Sequence, residues 1–96
     1  MKFAIKVAYD GTHYRGWQTQ KNGISVQSVL EGAAYAAFGK KVNIIASGRT
    51  DSGVHAAGQV CHFSADISVP AEKIADALNF RLPPDICVLK SVTAPE

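Results

Sequence analysis

"SVQSVLEGAAYAAFG", residues 25–39, is the stretch whose reading decides the fold. Val26, Val29, Leu30, Ala33, Ala34, Ala37 and Phe38 recur at i, i+3, i+4, i+7, i+8, i+11 and i+12. That spacing lays an apolar stripe along one side of an α-helix over 26–38. Ser25 stands where a hydroxyl can cap the first free amides, and Gly39 where a left-handed residue can end the helix. Gly32 sits in the interior, where glycine costs about 1 kcal/mol against alanine. Its presence predicts a close backbone contact.

Working outward, the period changes. Phe3, Ile5, Val7 and Tyr9 alternate with Ala4, Lys6 and Ala8, which predicts a half-buried strand over 3–9. After the helix, "VNIIAS" (42–47) and "QVCHFS" (59–64) read as second and third strands. "SVPAEKIADALNFRL" (68–82) reads as a second helix, with Pro70 suited to its first turn and Ile74 and Leu78 facing inward. Pro83 and Pro84 stop it, and "DICVLKSV" (85–92) reads as a fourth strand.

The order β-α-β-β-α-β predicts an α+β, ferredoxin-like split β-α-β fold, an antiparallel sheet with both helices on one face. Its first and third strands are central. The first strand then shows Lys2, Ala4, Lys6 and Ala8 on the open face, a small and basic surface suited to a phosphate backbone or a partner domain. Cys61 and Cys87 fall on the third and fourth strands, separated by the first. Two strand spacings are about 9–10 Å, beyond disulfide reach.

Composition agrees with one folded domain. The chain has 96 residues, 47% hydrophobic and 19% charged. No apolar run approaches the roughly 18 residues of a membrane span. The alternating start lacks the continuous apolar stretch of a signal peptide, so the cytoplasm is the expected compartment. Residues 1–51 carry seven basic side chains against three acidic, and residues 52–96 three against five. A basic half fits an anionic partner such as nucleic acid. The two cysteines form no Cys-x-x-Cys half-site, and His13, His55 and His62 add no metal-ligand spacing. Buried free thiols are the expectation, with no metal.

The chemistry-bearing stretch is "SGRTDSGVHAAGQVCHF", residues 47–63. Asp51 lies between Gly48 and Gly53, two positions after Arg49. A turn between strands accounts for these residue types by itself. An aspartic protease dyad would need two carboxyl groups sharing a proton in an apolar setting. Arg49 opposes that sharing, and two helices oppose the nearly all-β plan of such enzymes. A non-catalytic RNA-binding domain of ferredoxin-like fold is a further reading, although "GQVCHFSA" lacks the aromatics that stack bases on such a sheet. An ionised aspartate doing chemistry is the sharper one, since a guanidinium close by favours the charged carboxylate.

The same stretch closely resembles the signature of the tRNA pseudouridine synthase A family. "YDGTHYRGWQTQ" (9–20) is similar to that family's opening loop, "SVQSVLEGA" (25–33) to its first helix and "LNFRLPPDI" (78–86) to its passage from helix to strand. The four blocks stand in the family's order and cover nearly the whole chain. The resemblance implies an isomerase that converts uridine to pseudouridine in the anticodon stem-loop of tRNA, with no metal or organic cofactor. It implies that Asp51 is the catalytic nucleophile, for which attack at the ribose C1′ and at the uracil C6 are both open.

By position Arg49 matches the family's arginine adjacent to that aspartate, and the candidate RNA-binding residues are Arg49, Arg15, Trp17, Gln18, Gln20, Lys21 and His55. Arg49 could stack in the space left by a flipped base. Arg15 and Lys21 would meet phosphates, and Gln18 and Gln20 sugar or base edges. Trp17 folded back on the core, and a structural His55, are the plainer alternatives. Family members continue into a second domain of similar plan. The expectation is therefore that residues 1–96 form the N-terminal domain, that the C-terminal domain is absent from this chain, that these residues alone are inactive, and that the full-length protein is a homodimer.

Overall fold

The computed structural model describes residues 1–10, 25–46 and 56–95. Four strands and two helices follow in the order β1 (Lys2–Tyr9), α1 (Val26–Phe38), β2 (Ile45–Ala46), β3 (Ala56–Ser64), α2 (Ala71–Asn79) and β4 (Ile86–Ala94). The strands form one sheet in the order β2-β3-β1-β4. Every neighbouring pair is antiparallel. This is the ferredoxin-like split β-α-β plan.

The core lies between the helices and one face of the sheet. β1 contributes Phe3, Ile5, Val7 and Tyr9, and β3 contributes Cys61 and Phe63. Phe3 and Phe63 are direct cross-strand partners, with ring centroids 5.4 Å apart and tilted. Val26, Leu30, Ala33 and Ala34 enter from α1, and Ile74 and Leu78 from α2.

The caps of α1 are those its sequence predicts. The Ser25 hydroxyl accepts from the Ser28 amide at 3.1 Å, and the Ser28 hydroxyl accepts from the Ser25 amide at 3.3 Å. Gly39 adopts φ 70° and donates its N–H to the Tyr35 carbonyl. Gly32 differs from expectation. Among the described residues a Cβ there would meet nothing within 4 Å, so no close backbone contact among them explains it.

α2 is bolted to β4 at both ends. The Asn79 amide donates to the Val88 carbonyl at 2.9 Å and accepts from the Val88 N–H at 2.7 Å. The Ser91 hydroxyl donates to the Ala71 carbonyl at 2.6 Å and accepts from the Ala75 N–H at 2.9 Å. Ser91 is a buried polar group with both of its bonds made, which removes the penalty of burying it.

β2 is far shorter than the predicted 42–47. Val42 and Ile44 are buried in alternation, but among the described residues only Ile45 and Ala46 pair with β3. Ile44 satisfies its backbone from α1 instead. Its N–H donates to Glu31 Oε2 at 2.8 Å, and its carbonyl accepts from Gln27 Nε2 at 3.0 Å. Cys61 and Cys87 are both free, with β1 between their strands. Cys61 is buried as predicted. Cys87 is exposed, because its position on β4 faces the open side of the sheet.

Candidate functional site

Asp51, Arg49, Arg15, Trp17, Gln18, Gln20, Lys21 and His55 all lie outside the described residues. What the structure places is the frame that carries them. β1 and β2 run the same way, since both are antiparallel to β3. The chain therefore leaves β1 after Tyr9 and β2 after Ala46 at one end of the sheet, and it begins β3 there at Ala56. Tyr9 and Ala56 are direct partners on adjacent central strands. The stretch with Arg15 and Trp17 and the stretch with Arg49 and Asp51 thus start from neighbouring strand ends.

That end is held firmly. Tyr9 is buried and pairs with Ile86 on its other side. The Asp10 N–H donates to the Asp85 carbonyl at 3.0 Å, tying the exit of β1 to the turn before β4. On the β2 side, Gln27 Nε2 also reaches Glu31 Oε2 at 3.3 Å. Gln27, Glu31 and the Ile44 backbone therefore form a closed ring of three hydrogen bonds just before β2. The sequence reading missed this brace. Its signal was present as two polar residues at i and i+4 on α1, a spacing that puts them side by side.

Electrostatics set the open face apart. Lys2, Lys6, His62 and Lys90 lie on it, and among the described residues none of the strand positions on that face is acidic. The thiol of Cys61 faces the core, where burial pushes it up to about 12 from the ordinary 9.0. It is inert as a nucleophile there. Among the described residues no group of three or more His, Cys, Asp or Glu could hold a metal ion. No helix among them is long and apolar enough to cross a membrane.

Comparison with known proteins decides the family. The sequence profile described as "tRNA pseudouridine synthase" matches residues 5–96. The chain belongs to the tRNA pseudouridine synthase family. A protein named tRNA pseudouridine synthase A from Prochlorococcus marinus (strain MIT 9515) is 48% identical over 91 residues, covering 95% of this chain and 34% of the relative. One of the same name from Thermoanaerobacter sp. (strain X514) is 51% identical over 87 residues, covering 91% and 36%. A third, from Geobacter sulfurreducens, is 54% identical over 80 residues, covering 83% and 33%. The chain thus spans about a third of the length of these curated relatives. For a pseudouridine synthase family member, the described frame is the sheet end from which both candidate stretches depart.

Proposed function

We propose that this chain is the N-terminal domain of a tRNA pseudouridine synthase, in which Asp51 is the nucleophile for isomerising uridine to pseudouridine in the anticodon stem-loop of tRNA. The observation that carries the reading is the family match across 5–96, which takes in the glycine-framed Asp51. The shared departure point of the two candidate stretches supports it. The reaction is an isomerisation, so atoms balance without a redox partner. The C1′–N1 bond breaks, the uracil turns, and C5 takes the sugar while N1 gains the proton that C5 gives up. An ionised Asp51 beside Arg49 suits the nucleophile's part. Arg49, Arg15, Trp17, Gln18, Gln20, Lys21 and His55 are proposed to hold the flipped nucleotide and its flanking backbone.

The detached base must not escape, which calls for a second wall over the sheet end. We assign that wall to a C-terminal domain in the full-length protein, working as a cytoplasmic homodimer. The relatives' roughly threefold greater length supports the further domain. The test is pseudouridine formation on a tRNA transcript. Residues 1–96 alone should give none, and the full-length protein should turn over. Asp51→Asn in the full-length protein should abolish turnover while tRNA affinity stays within a few fold. Turnover retained in that variant removes Asp51 from the mechanism.

A further inference from the structure

We propose that Lys6 and Lys90 form a phosphodiester-binding subsite on the open face of the sheet, which guides an RNA strand toward the end where the candidate catalytic stretch begins. The inference rests on the reading above that the partner is RNA.

Register carries the first step. Lys6 and Lys90 are direct partners across the β1–β4 pair. Simple alternation from the buried Val88 would turn Lys90 into the core. The register instead shifts between Lys6 and Val7, where Val7 pairs with Val88 and Lys6 with Lys90, so Leu89 is the extra residue of a bulge. Bulges re-aim the side chains beyond them. This one turns Lys90 outward beside Lys6 while Ser91 points inward to α2. Like charges directly opposite on neighbouring strands destabilise a sheet. An anion between them reverses the sign of that arrangement.

The surroundings fit such an anion. Both lysines line a shallow hollow of about 210 Å³ with Ala4, Ile5, Val60 and Val92. Val60 and Val92 are 48% and 41% exposed. Its lining is mostly apolar, so the charge that would hold an anion there comes from Lys6 and Lys90. At ~30 Å³ per water the hollow holds about seven waters, room for a phosphate and adjoining sugar atoms. No Phe, Tyr or Trp stands among the described strand positions of this face, and its one ring is the half-buried His62, which favours backbone over base recognition.

Direction comes from Gly58. A Cβ at Gly58 would lie 2.8 Å from Lys6 Cε, so the lysine stem rests where any other residue would place a side chain. Lys6 pairs with Val60, and Gly58 is two residues nearer Ala56. The stem therefore leans toward the sheet end from which residues 47–55 depart.

The test is fluorescence anisotropy with an unmodified tRNA transcript as probe, across a sodium chloride series. Each lysine that neutralises a phosphate adds ~0.7–0.9 to the slope of log affinity against log salt. Lys6→Gln and Lys90→Gln should each flatten the slope by about that amount, and the double variant by about twice as much. Lys73→Gln, on the exposed side of α2, should leave it unchanged. Thermal melts without phosphate should show both single variants at or above the wild-type Tm, because repulsion is relieved. A fall in Tm for both overturns the premise that the pair repels. A double variant that keeps the full slope while the wild type binds overturns the subsite alone. If that variant instead loses a concentration-dependent self-association, the face is a protein interface and the subsite fails. A wild-type chain with no tRNA affinity even at low salt overturns the RNA reading, and the subsite with it.

Discussion

Removing the carboxylate of Glu31 should loosen the approach to residues 47–55 more than its position on a helix surface suggests. Ile44 is fully buried, and its N–H has Glu31 Oε2 as acceptor at 2.8 Å. Glu31→Ala strands that donor away from water and deprives Gln27 of one partner. A hydrogen bond to a charged acceptor is worth about 1.5–3 kcal/mol net, and an unsatisfied buried donor costs a similar amount. Alanine returns a few tenths of a kcal/mol through helix propensity. The expected loss is therefore about 1–3 kcal/mol, read as a shift of the urea midpoint at constant m. For a domain of this size each kcal/mol lowers Tm by about 4–8 °C.

Two further measurements separate the brace from general destabilisation. Native-state hydrogen exchange should show the Ile44 amide losing protection by more than the global change. A cycle with Gln27→Ala should show a coupling of at least about 0.5 kcal/mol, because the two side chains share one ring of bonds. Glu31→Gln keeps an acceptor without the charge and should fall between wild type and Glu31→Ala. If Glu31→Ala lies within about 0.5 kcal/mol of wild type and Ile44 keeps its protection, the brace does not hold β2 and the reasoning fails.

Other outcomes follow from single features. Under native conditions Cys87 should react with a thiol reagent quickly and Cys61 only on unfolding. Because folding raises the Cys61 pKa from 9.0 to about 12, its contribution to stability is complete below pH 9 and is lost as pH rises toward 12, by at most ~1.4 kcal/mol per pH unit. Gly32→Ala should stabilise by about 1 kcal/mol, since a Cβ there meets nothing, whereas Gly39→Ala at φ 70° should destabilise by about 1–2 kcal/mol. Paired melts read both. Asn79→Ala uncovers both polar groups of Val88 and should cost about 1–3 kcal/mol in urea unfolding.

The elements that sequence read best are those whose partners are local. α1 runs over 26–38 as predicted because its caps and its apolar stripe are all within the helix. β2 was overread because alternation at Val42 and Ile44 reports burial and not the identity of the hydrogen-bond partner. α2 was overread at both ends, where Val69 and Leu82 pack against the core from outside the helix. β3 was underread, because Ala56, Ala57 and Gly58 look like loop until Tyr9 and Val7 are seen to extend beside them. Asp51 and Arg49 stood out through their glycine frame, yet they lie outside the described residues. Lys90 was visible as a charge, but only the bulge at Leu89 decides which face it takes.

Helix side chains occupy backbone groups at Val88 on the β4 edge and at Ile44, just before the β2 edge. On one side Gln27 and Glu31 occupy the backbone of Ile44, and on the other Asn79 occupies that of Val88. Asn79 alone, and Gln27 with Glu31, imitate the donor and acceptor of a missing strand, which blunts those places as templates for another chain. The bulge at Leu89 twists the second edge further from flatness. Among the described residues the helices cover one face, which leaves the open basic face and the end where Tyr9 meets Ala56. They share the β1–β3 seam, since Lys6 on the open face leans over Gly58 toward that end. A strand of RNA bound at the proposed subsite would therefore run toward Ala56 without crossing either described helix.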